Sequence, residues 1–433
     1  MRYFLTLRRQ NFLFIGLLLV IFTTISPKIV FAQSYKYANY CLDSLTSKEF
    51  CGRGYQYGGN RKAADFIKRE LKNDGLTLLG KNEEQTFDIS INNIHTAVLK
   101  LHTKDSALVT GEDYIVFGFS PSCDINLQNE KPLIIKEIKD IAKDTLKYKN
   151  KVLLLSQDKF SMHDLYRFFR GLEKAYIAPK LIIVQGYDKL LYPISTSKLS
   201  FPVIQLKGKQ IDKKIDYLYL KVGSYFDDKY HTQNIWAVSR GTKYPDSMYV
   251  FVSHYDHLGM CGSAFFPGAS DNASGTCVNM DLAKYYATHP CEYTTVFIFC
   301  SGEEIGLLGS TFAAENPLVD LKKIKFLVNL DMCGTGSGGL ALINGQAEIK
   351  AATTIKNIND DEKLFAKITI GETSCNSDHC PFVQKGVPAL FIFTYGCENN
   401  EYHTIHDTPD KLHFTKEVDL CNILKEFVSK YNR

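Results

Sequence analysis

Tyr249-Val250-Phe251-Val252 runs straight into Ser253-His254-Tyr255-Asp256, and the same pattern returns three times downstream. Val296-Phe297-Ile298-Phe299 leads to Gly302-Glu303-Glu304, Phe326-Leu327-Val328-Asn329-Leu330 ends at Asp331, and Ala389-Leu390-Phe391-Ile392-Phe393 precedes Tyr402-His403. Short β-branched and aromatic runs bounded by Gly, Ser and polar residues read as buried parallel strands. Open α/β sheets bind ligands just beyond the carboxyl ends of such strands. Four strand ends that each supply imidazole or carboxylate therefore predict a single site with the donors of a hydrolytic two-metal centre.

Helices alternate with these strands. Asn272 can cap one running toward His289, and others are expected over 305–316, 348–357 and 417–431. This alternation predicts an α/β fold: a doubly wound, mixed but mainly parallel sheet with helices on both faces. Upstream, Ala63, Ala64, Phe66, Ile67 and Leu71 recur at helical spacing between Asn60 and Leu76. From Gln85 to Asp228 the pattern changes to short strands with one helix around His163 to Lys174, and none of the candidate ligands falls there. The expected division is an amino-terminal part of the catalytic domain over 33–84, a small β-rich inserted domain over 85–228, and the catalytic domain proper over 229–433.

Residues 1–32 stand apart. Arg2, Arg8 and Arg9 precede an apolar stretch from Phe12 to Ile25, and Val30-Phe31-Ala32 carries the small residues of a signal-peptidase site. This reads as a secretory signal cleaved after Ala32, rather than a retained anchor, because Ser26, Pro27 and Lys28 cut the apolar stretch short. The mature protein is then expected to be exported to a periplasm or the cell exterior, without stable membrane insertion. The leader holds four basic residues and no acidic one, so the formal charge of +4 falls to zero without it. No basic patch calls for nucleic acid. All 12 Cys lie beyond the leader, an even number that suggests disulfides in an exported chain. Cys375 with Cys380, and Cys41 with Cys51, are near enough in sequence to pair locally.

A metal ion that activates water needs several side-chain ligands and one open position. Two ions about 3.5–4 Å apart need a bridging group, usually a carboxylate. The candidate ligands are His254, Asp271, Glu304, Asp331 and His403. Asp271 lies in Pro267-Gly268-Ala269-Ser270-Asp271-Asn272-Ala273-Ser274-Gly275, whose small residues let the backbone approach closely, as a bridging carboxylate requires. Glu303 and Glu304 are adjacent and diverge, so one can bind metal while its neighbour takes a proton from water. Asp256 is placed to accept the second N–H of His254 and fix its tautomer. Taken singly, a Glu-Glu pair is an ordinary solvated pair and a loop histidine an ordinary surface residue; these readings weaken when they must hold at every strand end together. His257 and His406, each three residues from a chosen ligand, offer a competing set.

Five motifs follow in order: Ser253-His254-Tyr255-Asp256-His257-Leu258-Gly259, Gly268-Ala269-Ser270-Asp271-Asn272-Ala273-Ser274-Gly275, Gly302-Glu303-Glu304-Ile305-Gly306-Leu307-Leu308-Gly309-Ser310, Asn329-Leu330-Asp331-Met332 and Tyr402-His403-Thr404. In these the chain resembles the co-catalytic zinc exopeptidases, which include secreted bacterial aminopeptidases and aminopeptidase Y; glutamate carboxypeptidases and glutaminyl cyclases are more distant relatives. The lead-in Leu45-Thr46-Ser47-Lys48-Glu49-Phe50-Cys51-Gly52-Arg53-Gly54 is also similar. The resemblance implies two Zn2+ per chain, one held by His254 and Asp331, the other by Glu304 and His403, with Asp271 between them. It implies that a metal-bound hydroxide cleaves the amino-terminal bond of peptides with free amino termini, with Glu303 as general base, Asp256 orienting His254, and Tyr402 donating to the oxyanion. Residues 85–228 would be a protease-associated-like domain. Ser377-Asp378-His379-Cys380-Pro381-Phe382 resembles a segment near the family's substrate pocket. Ser270 stands where many members carry a second Asp, and Cys residues are unusually frequent. The alternatives are a glutaminyl cyclase or carboxypeptidase of the same fold, or a non-catalytic binding protein. Cyclases of this type hold one zinc among tryptophans, whereas Trp236 is the sole tryptophan here.

Overall fold

Along the four apolar runs, alternate residues serve two buried layers. Tyr249, Phe251, Phe297, Phe299, Phe326, Val328, Leu390 and Ile392 face one core, and Val250, Val252, Val296, Ile298, Leu327 and Ala389 face the other. Strands covered on both faces carry continuous apolar sequence, which is why these runs do not alternate with polar residues. The structure is a computed structural model that describes residues 27–138, 145–412, 414 and 416–431. The part of the expected leader up to residue 26 lies outside the described residues. Among those described, no helix is long and apolar enough to cross a membrane.

The strands, in chain order, are β1 (Thr77–Leu78), β2 (Gln85–Leu101), β3 (Tyr114–Val116), β4 (Cys123–Glu130), β5 (Leu133–Ile134), β6 (Val152–Ser156), β7 (Leu181–Tyr187), β8 (Val203–Lys207) and β9 (Ile215–Ser239). They continue with β10 (Tyr244–His254), β11 (Met260–Cys261), β12 (Ala264–Phe265), β13 (Tyr293–Cys300), β14 (Ile324–Leu330), β15 (Gly339–Ile343), β16 (Ile368–Ile370) and β17 (Ala389–Tyr395). The large sheet has the order β1-β9-β13-β10-β14-β17-β15-β16, with β2 and β4 paired to β9. Its centre, β13-β10-β14-β17, is parallel throughout, while β9 and β15 run antiparallel to their central neighbours. The sheet is thus mixed and mainly parallel at its core.

Helices α1 (Pro27–Leu45), α2 (Gly59–Asn73), α4 (Gly275–Thr288), α6 (Ile349–Glu362) and α8 (Glu417–Lys430) cover one face. The short helices α5 (Leu308–Glu315) and α7 (His379–Gln384) cover the other, and α3 (Met162–Lys174) belongs to the part between β6 and β7. Several helix starts differ from the sequence expectation. The helix after Asp271 begins at Gly275, preceded by a tight turn over Ala269–Ser274, and Asn272 Oδ1 accepts the Gly275 N–H at 2.9 Å.

A second sheet, β3-β8-β7-β6-β5, has its own apolar core that includes Phe117, Phe168, Phe169 and Leu220. It joins the large sheet through β2 and β9, which pair antiparallel over most of their 17 and 25 residues. The expected boundary at 84/85 falls at the start of β2, and the one at 228/229 falls inside β9. Cys375 and Cys380 are bridged, whereas Cys41, Cys51 and the remaining eight cysteines are unpaired.

Candidate metal centre

The parallel centre of the sheet delivers its strand ends to one place. His254 is the last residue of β10, Glu303 and Glu304 follow β13, Asp331 follows β14, and His403 lies in the loop after β17. Asp271 arrives from the turn before α4. All five expected ligands therefore converge, although the outermost two are 149 positions apart in sequence numbering (254 and 403).

His254 Nε2 lies 3.5 Å from Asp271 Oδ1 and 3.4 Å from Asp331 Oδ1. His403 Nε2 lies 3.0 Å from Asp271 Oδ2 and 3.1 Å from Glu304 Oε2. The two oxygens of Asp271 thus face two different groups. His254 Nε2, His403 Nε2 and Asp331 Oδ1 are buried and make no hydrogen bond. Such crowding without hydrogen bonds is costly unless something else satisfies the atoms. Ligands about 2.1 Å from a tetrahedral Zn2+ stand about 3.4 Å from one another, so these spacings fit a shared cation at each group. The donor set also fits: imidazole and carboxylate, with Asp271 common to both groups.

Residues with no ligand role hold the loops in place. Arg53, fully buried, donates to the carbonyls of Tyr255 (2.8 Å), Leu45 (3.0 Å), Pro267 (2.7 Å), Gly268 (2.7 Å) and Asp271 (3.3 Å). Asp407 accepts the amide N–H groups of Ser270 and Asp271 at 3.0 and 3.1 Å. Asn272 brackets Asp331: its Nδ2 donates to Leu330 O at 2.9 Å and its Oδ1 accepts the Met332 N–H at 3.1 Å. Ser377 Oγ donates to Asp331 Oδ2 at 2.7 Å and itself accepts from Asn329.

Asp256 sits beside His254 in an unexpected way. The imidazole Nδ1 is 3.1 Å from the Asp256 carbonyl oxygen and 3.7 Å from its carboxylate. The carboxylate instead accepts from Tyr55 Oη at 2.8 Å and from the Glu303 N–H at 3.2 Å. Glu303 Oε2 stands 4.0 Å from His254 Nε2, outside both ligand groups. Tyr402 is half exposed and stacks on His403 with ring centroids 3.7 Å apart.

The two competing histidines part company. His406 turns away to Glu112 at 3.1 Å. His257 stays: its Nδ1 lies 2.6 Å from Glu304 Oε1 and 3.9 Å from Asp271 Oδ2. His257, Asp271 and Glu304 thus form a compact donor group, in which His257 and His403 face the same two carboxylates.

The centre is rich in buried carboxylates. Burial pushes the Glu303 carboxyl well above its usual range; His254 opposes this, and Glu304, Asp331 and Asp378 add to it. Burial acts likewise on Glu304, but the neighbouring imidazoles of His403 and His257 outweigh it and hold that group well below the usual carboxylate range. Burial would lower His254, yet Glu303 and Asp331 lift it well above an ordinary imidazole. His403 is lifted to about 11 against the effect of burial, chiefly by Glu304 and Asp271. Asp378, fully buried, is pushed up to about 7 mainly by burial. Excess buried negative charge of this kind demands cations.

Sequence reasoning missed Arg53, Tyr55, Asp407 and Asn272 as supports. Arg53 carried a signal only as part of the similar lead-in, and Asp407 none beyond its closeness to His403.

Residues 234–428 match Peptidase family M28. Aminopeptidase YwaD of Bacillus subtilis (strain 168) is 28% identical over 291 residues, covering 62% of this chain and 59% of that protein. A probable zinc metalloprotease of Pyricularia oryzae is 38% identical over 108 residues, or 24% of this chain and 22% of its own. The chain thus spans under two thirds of the length of these curated relatives. Among solved structures, the zinc aminopeptidase BSAP from Bacillus subtilis superposes with a TM-score of 0.71 at 20% identity, covering 91% of this chain and 94% of that one. The aminopeptidase from Aneurinibacillus sp. strain AM-1 gives 0.66 at 20% identity, covering 91% and 93%. These two share the fold. The segment that carries the converging strand ends is thus the one that matches Peptidase family M28.

Proposed function

We propose that the protein is an exported zinc aminopeptidase that hydrolyses the amino-terminal bond of peptides, with two zinc ions per chain. The observation that carries this reading is that His254, Asp271 and Asp331 on one side and His257, Asp271 and Glu304 on the other meet at Asp271, with His403 Nε2 3.0 and 3.1 Å from the Asp271 and Glu304 oxygens and with buried nitrogens that make no hydrogen bond. His254, Asp271 and Asp331 would hold one ion, and Asp271, Glu304 and His403 the other. When bound, the ions polarise the attacking water and the scissile carbonyl. Glu303 takes the proton of that water and passes it to the leaving amine. The Tyr402 hydroxyl donates to the oxyanion. Asp256 orients His254 through its carbonyl and Glu303 through its carboxylate.

The names of YwaD, BSAP and the Aneurinibacillus protein support an aminopeptidase over a carboxypeptidase. Trp236 speaks against a cyclase, being fully buried in the core and donating to Gln85 Oε1 at 2.9 Å. Residues 85–228 are read as a protease-associated-like domain, and peptide substrates as the partners.

The test combines aminoacyl chromogenic substrates with metal analysis. Dialysis against a chelator abolishes release of amino-terminal residues, zinc restores it, and elemental analysis finds about two zinc ions per chain. Undiminished hydrolysis by the zinc-free protein would overturn the reading, and a single tightly bound zinc would favour cyclase chemistry.

A further inference from the structure

The loop that carries His403 is not held by its own sheet alone. After β17 the chain runs from Gly396 to Asp407 without helix or strand. His403 sits in it with φ +59°, a left-handed conformation uncommon for residues other than glycine, although histidine is among those that adopt it more readily. Several contacts to this loop come from the unit built on the five-stranded sheet. The Tyr192 N–H donates to the His403 carbonyl at 3.4 Å. Lys189 Nζ donates to the Asn400 carbonyl and lies 4.0 Å from Glu401 Oε2. Glu112 pairs with His406 at 3.1 Å. Ile405 packs against the core of that unit, where a Cβ on Gly111 would meet its Cγ2 at 2.9 Å.

The same unit grips the other ligand loops. Leu258, Cys261, Ala264 and Phe266, between His254 and Asp271, are buried in its core. The Tyr192 ring stacks on Phe266 at 5.0 Å, directly ahead of the Pro267-Gly268 turn that leads to Asp271. Tyr192 thus touches the approach to the shared carboxylate with its ring and the His403 peptide with its N–H.

We propose that the five-stranded unit is the outer half of the metal site, with Lys189, Glu112 and Tyr192 acting as positioning residues for His403 and hence for the second zinc. The proposal rests on the two-zinc aminopeptidase reading. Its logic is that of any outer support of a metal ligand: removal loosens the ligand's geometry without removing a donor atom. The first group, whose His254 is the end of a central strand, depends on the unit less directly.

The experiment uses the full-length zinc-loaded protein carrying K189M and E112Q together, both at partly exposed positions. K209M, whose ion pair with Asp158 at 3.0 Å stays within the unit, is the control. Zinc content is measured across a chelator series, alongside kcat, KM and the melting temperature of the zinc-free protein. The double variant keeps its melting temperature within about 2 °C. It releases one of its zinc ions at a chelator concentration about tenfold lower than wild type, and its kcat at limiting zinc falls about tenfold while KM stays put. Excess zinc restores kcat, and K189R in place of K189M recovers most of the affinity. Release of both ions at the wild-type chelator concentration, or the same change in K209M, overturns the proposal. Failure of wild type itself to bind zinc would instead fell the aminopeptidase reading, a result visible before any variant is made.

Discussion

Arg53 Nε donates to the carbonyl of Tyr255 at 2.8 Å, which ties a residue of the amino-terminal lead-in to the peptide just after His254. Its other nitrogens reach Leu45, Pro267, Gly268 and Asp271, so one buried guanidinium joins the lead-in, the His254 loop and the Asp271 loop. Burial lowers the guanidinium from its usual range, and Asp271 and Asp407 counter that.

Arg53→Met removes a donor from each of these carbonyls, of which Gly268 O keeps the Ala273 N–H; each one left unpaired where water cannot reach costs about 1–3 kcal/mol. The expected outcome is a melting temperature lower by several degrees and weaker zinc binding, read by thermal denaturation and chelator competition. Arg53→Lys recovers little, because an ammonium has three donors and no planar fork. Wild-type behaviour of Arg53→Lys in both measurements would show that charge alone suffices.

The parts legible from sequence are those in which chemistry and strand pattern sit side by side. His254, Glu304 and Asp331 follow apolar runs at once, and Asp271 lies in a run of small residues, so local reading finds them. Supports such as Tyr55 and Arg53 act on residues some 200 positions away, a relation that only the folded sheet creates. The role of Asp256 was half legible: its neighbourhood to His254 is local, but the choice of carbonyl over carboxylate depends on Tyr55 and Glu303 competing for the carboxylate. The length of β9 is not legible because Asp227, Asp228 and Lys229 interrupt the apolar pattern, and the expected domain boundary falls among them. In the fold they pass through a solvent-exposed ribbon, where polar side chains cost nothing. The even cysteine count suggests disulfides, but Cys41, Cys261, Cys277, Cys300, Cys333 and Cys421 are buried free thiols, a placement that composition alone does not reveal.

Tyr55→Phe removes one donor from Asp256 and leaves the packing of the ring. With Asp256 less firmly held, the Glu303 N–H and the His254 loop lose a fixed reference. The expected result is a kcat about tenfold lower with KM little changed. Unchanged kcat would mean that the Glu303 amide alone fixes Asp256.

Glu417 gives a pH-dependent stability unrelated to the metal centre. It is fully buried in α8; burial, with Asp281 nearby, raises its carboxyl to about 8, while Cys421 Sγ donates to Oε1 at 3.1 Å and Lys425 pulls the other way. The folded state therefore holds a proton that the unfolded chain gives up near its ordinary value. This contribution is complete in acid below the ordinary glutamate range and is lost as pH rises toward about 8. Glu417→Gln, which cannot ionise, keeps it at all pH values. The variant is expected to melt close to wild type near pH ~5 and at least ~2 °C above it near pH ~8.5, as followed by calorimetry. A constant difference across that range would place the proton elsewhere.

Glu303 and Glu304 are neighbours in sequence and differ in what they face, so the same substitution should have opposite signatures. Glu304 contacts His403 at 3.1 Å and His257 at 2.6 Å within the second ligand group. Glu303 comes no nearer than 4.0 Å to His254 and belongs to neither group. Glu303→Gln keeps the shape and the Asp256 contact, which is made by its backbone N–H, but it cannot accept a proton. It is expected to retain both zinc ions while kcat falls by about 10²–10⁴, the usual contribution of a general base. Glu304→Gln is expected to lose zinc from the second group, with part of its activity returning in excess metal. Elemental analysis beside steady-state kinetics separates the two. Zinc loss in Glu303→Gln would move that residue into the ligand set, and full activity would remove it from the reaction.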